Sequence, residues 1–165
     1  MSRAFVKESD GDEAEGLLPD RPISSHPNYV TPGGLRQLHR SLEALERERQ
    51  ALRERPDDVA ARARLPKVEQ DLRYFRQRLQ TAIEVQPPPN TDTVRFGCVV
   101  EIENEGGQRH SYRIVGEDEA DASQGRISWI SPLARALRDH RVDDEVEWPR
   151  PDGAVQVTIV GIRTA

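Results

Sequence analysis

The chain has 165 residues, a net charge of -5 and only 5% aromatic side chains, which argues against one large core and for two small units. No segment approaches the roughly 20 uninterrupted apolar residues of a membrane span, and Met1–Lys7 lacks the apolar stretch of a secretory leader, so a cytoplasmic protein is expected. The single cysteine, Cys98, has no disulfide partner and no Cys or His at metal-ligand spacing, and reads as a small core residue.

Charge is distributed unevenly. Residues 1–32 carry 3 basic and 6 acidic side chains, residues 33–85 carry 12 and 9, and residues 86–165 carry 9 and 14. A basic middle between acidic ends can mark an interaction surface, although an Arg/Glu-rich helix is more often a solvated face. Residues 7–28 are rich in Asp, Glu, Pro, Gly and Ser with few large apolar groups. They cannot bury enough surface to offset the entropy of ordering, so residues 1–28 are expected to form a disordered acidic arm.

The pattern changes at Tyr29-Val30-Thr31-Pro32. Thr31 suits a helix N-cap and Pro32 the first helical position, where no amide donor is needed. Leu35, Leu38, Leu42, Leu45 and Leu52, with Arg49 at one seam position, follow the alternating three-and-four spacing of a coiled-coil stripe. A second stripe, Leu65, Val68, Leu72, Phe75, Leu79 and Ala82, repeats it after Arg55-Pro56-Asp57-Asp58. The two stripes predict a helical hairpin over 29–86 with its tip at about 55–58 and arms of about 23 and 26 residues. A turn at Pro66 would leave half the first stripe unpaired; inside the second helix, Pro66 predicts a kink or short loop around 62–66.

Pro87-Pro88-Pro89 ends the hairpin. Residues 87–165 then show β-branched alternation in six short runs: 94–96, 98–103, 111–115, 126–130, 145–148 and 154–162. Turn chemistry separates them at Glu105-Gly106-Gly107 and Pro151-Asp152-Gly153. Ser131 and Pro132 open a short helix through Leu137, as N-cap and first position. The expected class is α+β, a helical hairpin followed by an antiparallel β domain with one short helix.

No nucleophile and base arrangement is visible, since His26, His39, His110 and His140 are scattered singly. There is no phosphate-cradling loop, and Gly33-Gly34 at the helix start reads as a site of close packing or a bend. Basic residues lack interleaved aromatics, which argues against direct nucleic-acid readout. What remains is the tip pair Asp57-Asp58. Two carboxylates on an exposed turn can share a divalent cation with ligands from another molecule, or can simply open a helix whose dipole favours acids there.

Residues 94–137 resemble the Gre transcript-cleavage factors of bacterial RNA polymerase. The resemblance is carried by Val94-Arg95-Phe96-Gly97, Glu101-Ile102-Glu103-Asn104, Tyr112-Arg113-Ile114-Val115-Gly116-Glu117-Asp118-Glu119-Ala120-Asp121, Ile127-Ser128 and Ser131-Pro132-Leu133-Ala134-Arg135-Ala136-Leu137. Tyr29-Val30-Thr31-Pro32 and the leucine stripe resemble the start of that family's N-terminal coiled coil, so the similarity covers most of 29–165. It implies an FKBP-like C-terminal domain docked at the rim of the polymerase secondary channel, with the coiled coil entering the channel. It also implies a monomer without intrinsic cofactor or membrane contact, which meets transcript or DNA only through the polymerase. By motif position, Asp118, Glu119, Ser131 and Pro132 are the implied docking residues.

In that family acidic tip residues help the polymerase hold a second magnesium ion, and the polymerase itself cuts the transcript. The chain departs from the pattern at this point. The family's Gly-Asp-x-x-Glu-Asn-like tip signature is absent between Leu52 and Leu72, and the hairpin is shorter by roughly seven residues per arm, about 10 Å of reach at 1.5 Å per residue. Two readings stand: a channel-binding regulator with weak or absent cleavage stimulation, and a cleavage-stimulating factor acting through Asp57 and Asp58.

Overall fold

A computed structural model of the protein describes residues 17–164. They divide into two compact units, one of residues 17–23 and 41–77, the other of residues 24–40 and 78–164. Helix α1 (Pro32–Arg53) and helix α2 (Val59–Thr81) each run through both units.

In the first unit the two helices pair antiparallel. Leu52, Ala61, Val68 and Leu72 are buried between them, and Leu42, Leu45 and Leu65 pack at the edges. Cross-helix ion pairs Arg53–Glu69 at 2.6 Å, Arg64–Glu48 at 2.7 Å and Arg76–Glu46 at 3.1 Å flank this strip. They are partly exposed, so each contributes less than about 1 kcal/mol, and the apolar seam dominates. Helix α2 is continuous across Pro66, with no loop at 62–66. The helical hydrogen bond to the Arg62 carbonyl is forfeited there because proline has no N–H, while Val68 and Leu72 just beyond hold the helix against α1.

The expected disordered arm meets the structure over 17–28; residues 1–16 lie outside the described residues. Residues 17–23 lie along α2. Asp20 pairs with Arg73 at 2.6 Å, the Leu18 carbonyl accepts from the same guanidinium, and the Pro19 carbonyl accepts from Gln70. The Arg21 guanidinium sits 3.7 Å from the Tyr74 ring centroid and pairs with Asp71 at 2.9 Å. Polar and cation–π contacts, rather than buried apolar area, hold this segment.

In the second unit, β1 (Tyr29–Val30) pairs parallel with β2 (Ile83–Glu84), so the chain entering α1 lies beside the chain leaving α2. Asn28 is buried, and its side-chain amide donates to the Arg78 carbonyl at 2.7 Å, satisfying an acceptor at the end of α2.

The remaining strands, β3 (Cys98–Asn104), β4 (Arg109–Val115), β5 (Arg126–Ser128), β6 (Glu145–Trp148) and β7 (Val155–Thr164), form one sheet in the order β5-β4-β3-β7-β6. All pairs are antiparallel except β4–β5. The sheet is therefore mixed, because two 3-10 turns, Glu117–Glu119 and Ala122–Gln124, replace a tight hairpin between β4 and β5. Between Glu101 and Ile102 the pairing to β7 slips, leaving Val160 as an extra residue. The 94–96 run forms no strand. Val94 instead exchanges backbone hydrogen bonds with Asp139 and His140 and is buried in the core.

That core joins Val94, Val100, Ile102, Ile114, Val146, Val157 and Ile159 to Leu133, Ala134 and Leu137 of helix α3 (Pro132–Leu137). Cys98 is buried, and burial pushes its thiol pKa up, as suits an unreactive core residue. No helix among the described residues is long and apolar enough to cross a membrane.

Two consequences are measurable. Burial works against the Asp71 charge, but hydrogen bonds from Lys67 and Arg21 outweigh it and hold the carboxyl below its ordinary range. A depressed carboxylate contributes stability above its unfolded pKa of about 4 that is lost as pH falls through the folded value. Limited proteolysis within 17–23 should therefore accelerate below about pH 4, and Asp71→Asn should accelerate it already at neutral pH. Separately, a Cβ at Gly34 would fall on the Glu119 carboxylate, inside any real contact distance. Gly34→Ala should lower stability by about 2 kcal/mol in denaturant titrations, since the overpacking cost exceeds the helix-propensity gain of about 1 kcal/mol.

Candidate functional site

Three places hold the residues singled out in the sequence. The first is the turn between the helices. Asp58 is the N-cap of α2: its Oδ1 accepts from the Ala60 amide at 2.8 Å and the Ala61 amide at 3.2 Å, while its carbonyl accepts from Arg62. Its Oδ2 lies 3.7 Å from the Arg55 guanidinium. Both carboxylate oxygens of Asp58 thus face partners within the turn. Asp57 is exposed. Among the described residues no group of three or more His, Cys, Asp or Glu side chains is arranged to hold a metal. One exposed carboxylate beside one engaged in capping does not make a resident magnesium site.

The second place is the 3-10 turn after β4, where three consecutive acids point to three structural partners. Glu119 is only 6% exposed. Its Oε2 accepts from the Thr31 amide at 3.0 Å and the Gly116 amide at 3.0 Å, and its Oε1 takes a hydrogen bond from the Thr31 hydroxyl. Asp118 accepts from Nε of Arg78 at 2.5 Å, and Glu117 lies 3.6 Å from Nη2 of the same guanidinium. Arg78 is 2% exposed, and a charge buried so far from water requires such compensation.

Asp118 and Glu119, the implied docking residues, thus have structural partners within the chain. Both carboxylates turn inward, and what they grip is the first turn of α1 and the last turn of α2. The motif position was legible, but the partners were not, since Thr31 lies 88 residues from Glu119 and Arg78 lies 40 from Asp118. Arg78 is not on the apolar stripe, and nothing local in the sequence marks it. The Gly33-Gly34 pair was the one available signal of a close approach, and Gly34 is where Glu119 comes in.

The third place is the loop before α3. Ser131 caps the helix, its hydroxyl accepting from the Ala134 amide at 3.3 Å, and Pro132 occupies the first position. Pro132 is exposed. Beside it Trp129 packs edge-on against Tyr29, with centroids 5.0 Å apart, and against His26 at 5.9 Å. These contacts anchor the residue that leads into the loop, in which Ser131 is half-buried and Pro132 exposed.

Residues 88–164 match the family model described as transcription elongation factor, GreA/GreB, C-terminal. The chain is 32% identical over 151 residues to the transcription elongation factor GreB of Neisseria meningitidis serogroup B, covering 82% of this chain and 93% of that protein. It is 33% identical over 152 residues to the transcription elongation factor GreA 1 of Lactiplantibacillus plantarum, covering 84% and 97%. It is 35% identical over 162 residues to the GreB of Xanthomonas axonopodis pv. citri, covering 86% and 94%. Among solved structures, it is similar to the GreA factor homolog 1 of Thermus thermophilus, with 27% identity, coverage of 84% and 99%, and a TM-score of 0.40. With near-complete coverage of relatives above 30% identity, the chain belongs to the GreA/GreB family of transcription elongation factors.

Proposed function

We propose that this protein is an accessory factor that binds bacterial RNA polymerase at the rim of the secondary channel. There it regulates elongation, pausing or initiation while stimulating transcript cleavage weakly or not at all. It works as a cytoplasmic monomer without an intrinsic cofactor, and any RNA chemistry belongs to the polymerase active centre. Family membership supports the partner. The observation that carries the weak-cleavage reading is the state of Asp58, whose carboxylate is held by the amides of its own helix. Drawing it toward a metal ion would uncap α2, at a cost of about 1 kcal/mol, which leaves Asp57 as the one tip carboxylate not engaged in capping.

Exposed Pro132, with the capping Ser131 beside it, is the docking surface this reading retains. Glu119 and Asp118 act on the first turn of α1 and the last turn of α2.

A backtracked polymerase complex in magnesium provides the test. Adding the protein should release few or no short 3′ RNA fragments, yet should compete with an established secondary-channel factor for the same complex. Asp58→Asn keeps a capping oxygen while removing the charge, so neither it nor Asp57→Ala should change the outcome. Robust cleavage abolished by those two substitutions would establish the opposite reading, a cleavage factor acting through its tip acids. Pro132→Glu should reduce co-purification with polymerase by on the order of tenfold, as expected for a charge placed in a docked interface; undiminished binding would remove this loop from the docking surface.

A further inference from the structure

In an ordinary helix capping box the N-cap Ser or Thr accepts from the N3 amide, and the N3 Glu side chain reaches back to the N-cap amide. Helix α1 has the first half: Thr31 Oγ1 accepts from the Gly34 amide at 3.0 Å. Gly34 stands at N3 and has no side chain to return the bond. The missing carboxylate arrives from elsewhere in the chain, as Glu119 Oε2 takes the Thr31 amide at 3.0 Å. A Cβ on Gly34 would coincide with that carboxylate, so the group occupies the place an N3 side chain would fill.

The same oxygen accepts from Gly116, where a Cβ would run into the Tyr29 carbonyl. The turn after β4 and the chain entering α1 are therefore packed backbone against backbone.

We infer that Glu119 is a positioning residue: it completes the capping box of α1 from the β domain, so that the helix can be fully capped only while its first turn is seated on that domain. The Arg78–Asp118 pair ties the last turn of α2 to the same 3-10 turn. The first turn of α1 and the last turn of α2 are thus held by three consecutive acids, Glu117 to Glu119. Splitting the box converts a local helix-end contact into a coupling between the hairpin base and the sheet.

The idea can be tested by moving the carboxylate. Glu119→Ala removes it, and the double variant Gly34→Glu/Glu119→Ala returns it to N3, remaking an ordinary box within the helix. Spin labels on Arg40→Cys and Ala154→Cys report the distance between the start of α1 and the sheet, Cys98 being too buried to label. The unaltered background should give one narrow distance distribution. Glu119→Ala should broaden it and lower helicity by circular dichroism; the double variant should regain the helicity while the distribution stays broad. A narrow distribution in either variant would overturn the proposal, as would helicity that the double variant fails to restore.

A second arm rests on the polymerase reading. Apparent affinity for polymerase should change less than about threefold in the double variant, because the surface at Pro132 is untouched, while the maximal effect on a paused complex should fall on the order of tenfold through misplacement of the hairpin. Broadened distances with an unchanged transcription effect would count against the proposed function and leave the positioning role standing.

Discussion

A single buried carboxylate connects the parts of the second unit. Glu119 accepts two backbone amides and a hydroxyl, from Thr31 and Gly116, and lies at the positive end of the α1 dipole. Charge-assisted hydrogen bonds of this kind contribute roughly 1.5–3 kcal/mol each, and stripping their acceptor leaves buried donors at comparable cost. Other features follow from its placement. Position 34 must lack a side chain, position 116 must lack one too, and the chain entering α1 is held close enough to pair with the chain leaving α2.

Acids at helix starts recur with one physical purpose. Glu119 completes the cap of α1 across 88 residues, and Asp58 caps α2 locally; the neutral Ser131 does the same for α3. In each case an oxygen satisfies amides that have no partner inside the helix. This explains why an acidic tip, suggestive of metal binding by composition, is in part a structural device. The chemistry available at the tip is limited accordingly: Asp57 is exposed, and Asp58 is engaged by the Ala60 and Ala61 amides and lies beside the Arg55 cation.

Much of this architecture could be read before the structure, because local signals carried it. Thr31-Pro32 and Ser131-Pro132 announced two helices through capping chemistry, and the leucine spacing announced the pairing of α1 with α2. The resemblance to Gre factors rested on ordered motifs that the comparisons bear out. Long-range polar contacts were invisible. Nothing near Glu119 names Thr31, and nothing near Asp118 names Arg78, so the structural partners of these acids could not be read from the sequence. Two-residue strands such as β1 and β2 are too short to carry a period, and Val94–Phe96, with the right composition for a strand, makes backbone hydrogen bonds to the 139–140 segment through Val94 alone rather than along a strand. In residues 17–23, Arg21 stacks on Tyr74 rather than burying an apolar side chain, a contact that composition does not reveal.

The measurement that bears most directly on this account is a double-mutant cycle between Thr31→Val, which removes the hydroxyl while keeping the side-chain shape, and Glu119→Gln, read by equilibrium denaturation of the full chain. If Glu119 closes the cap of α1, the two substitutions are strongly non-additive, with a coupling of about 1–3 kcal/mol, as for contacting polar residues. Additive effects, with coupling within about 0.3–0.5 kcal/mol of zero, would contradict it, leaving no energetic link between Glu119 and the Thr31 cap side chain.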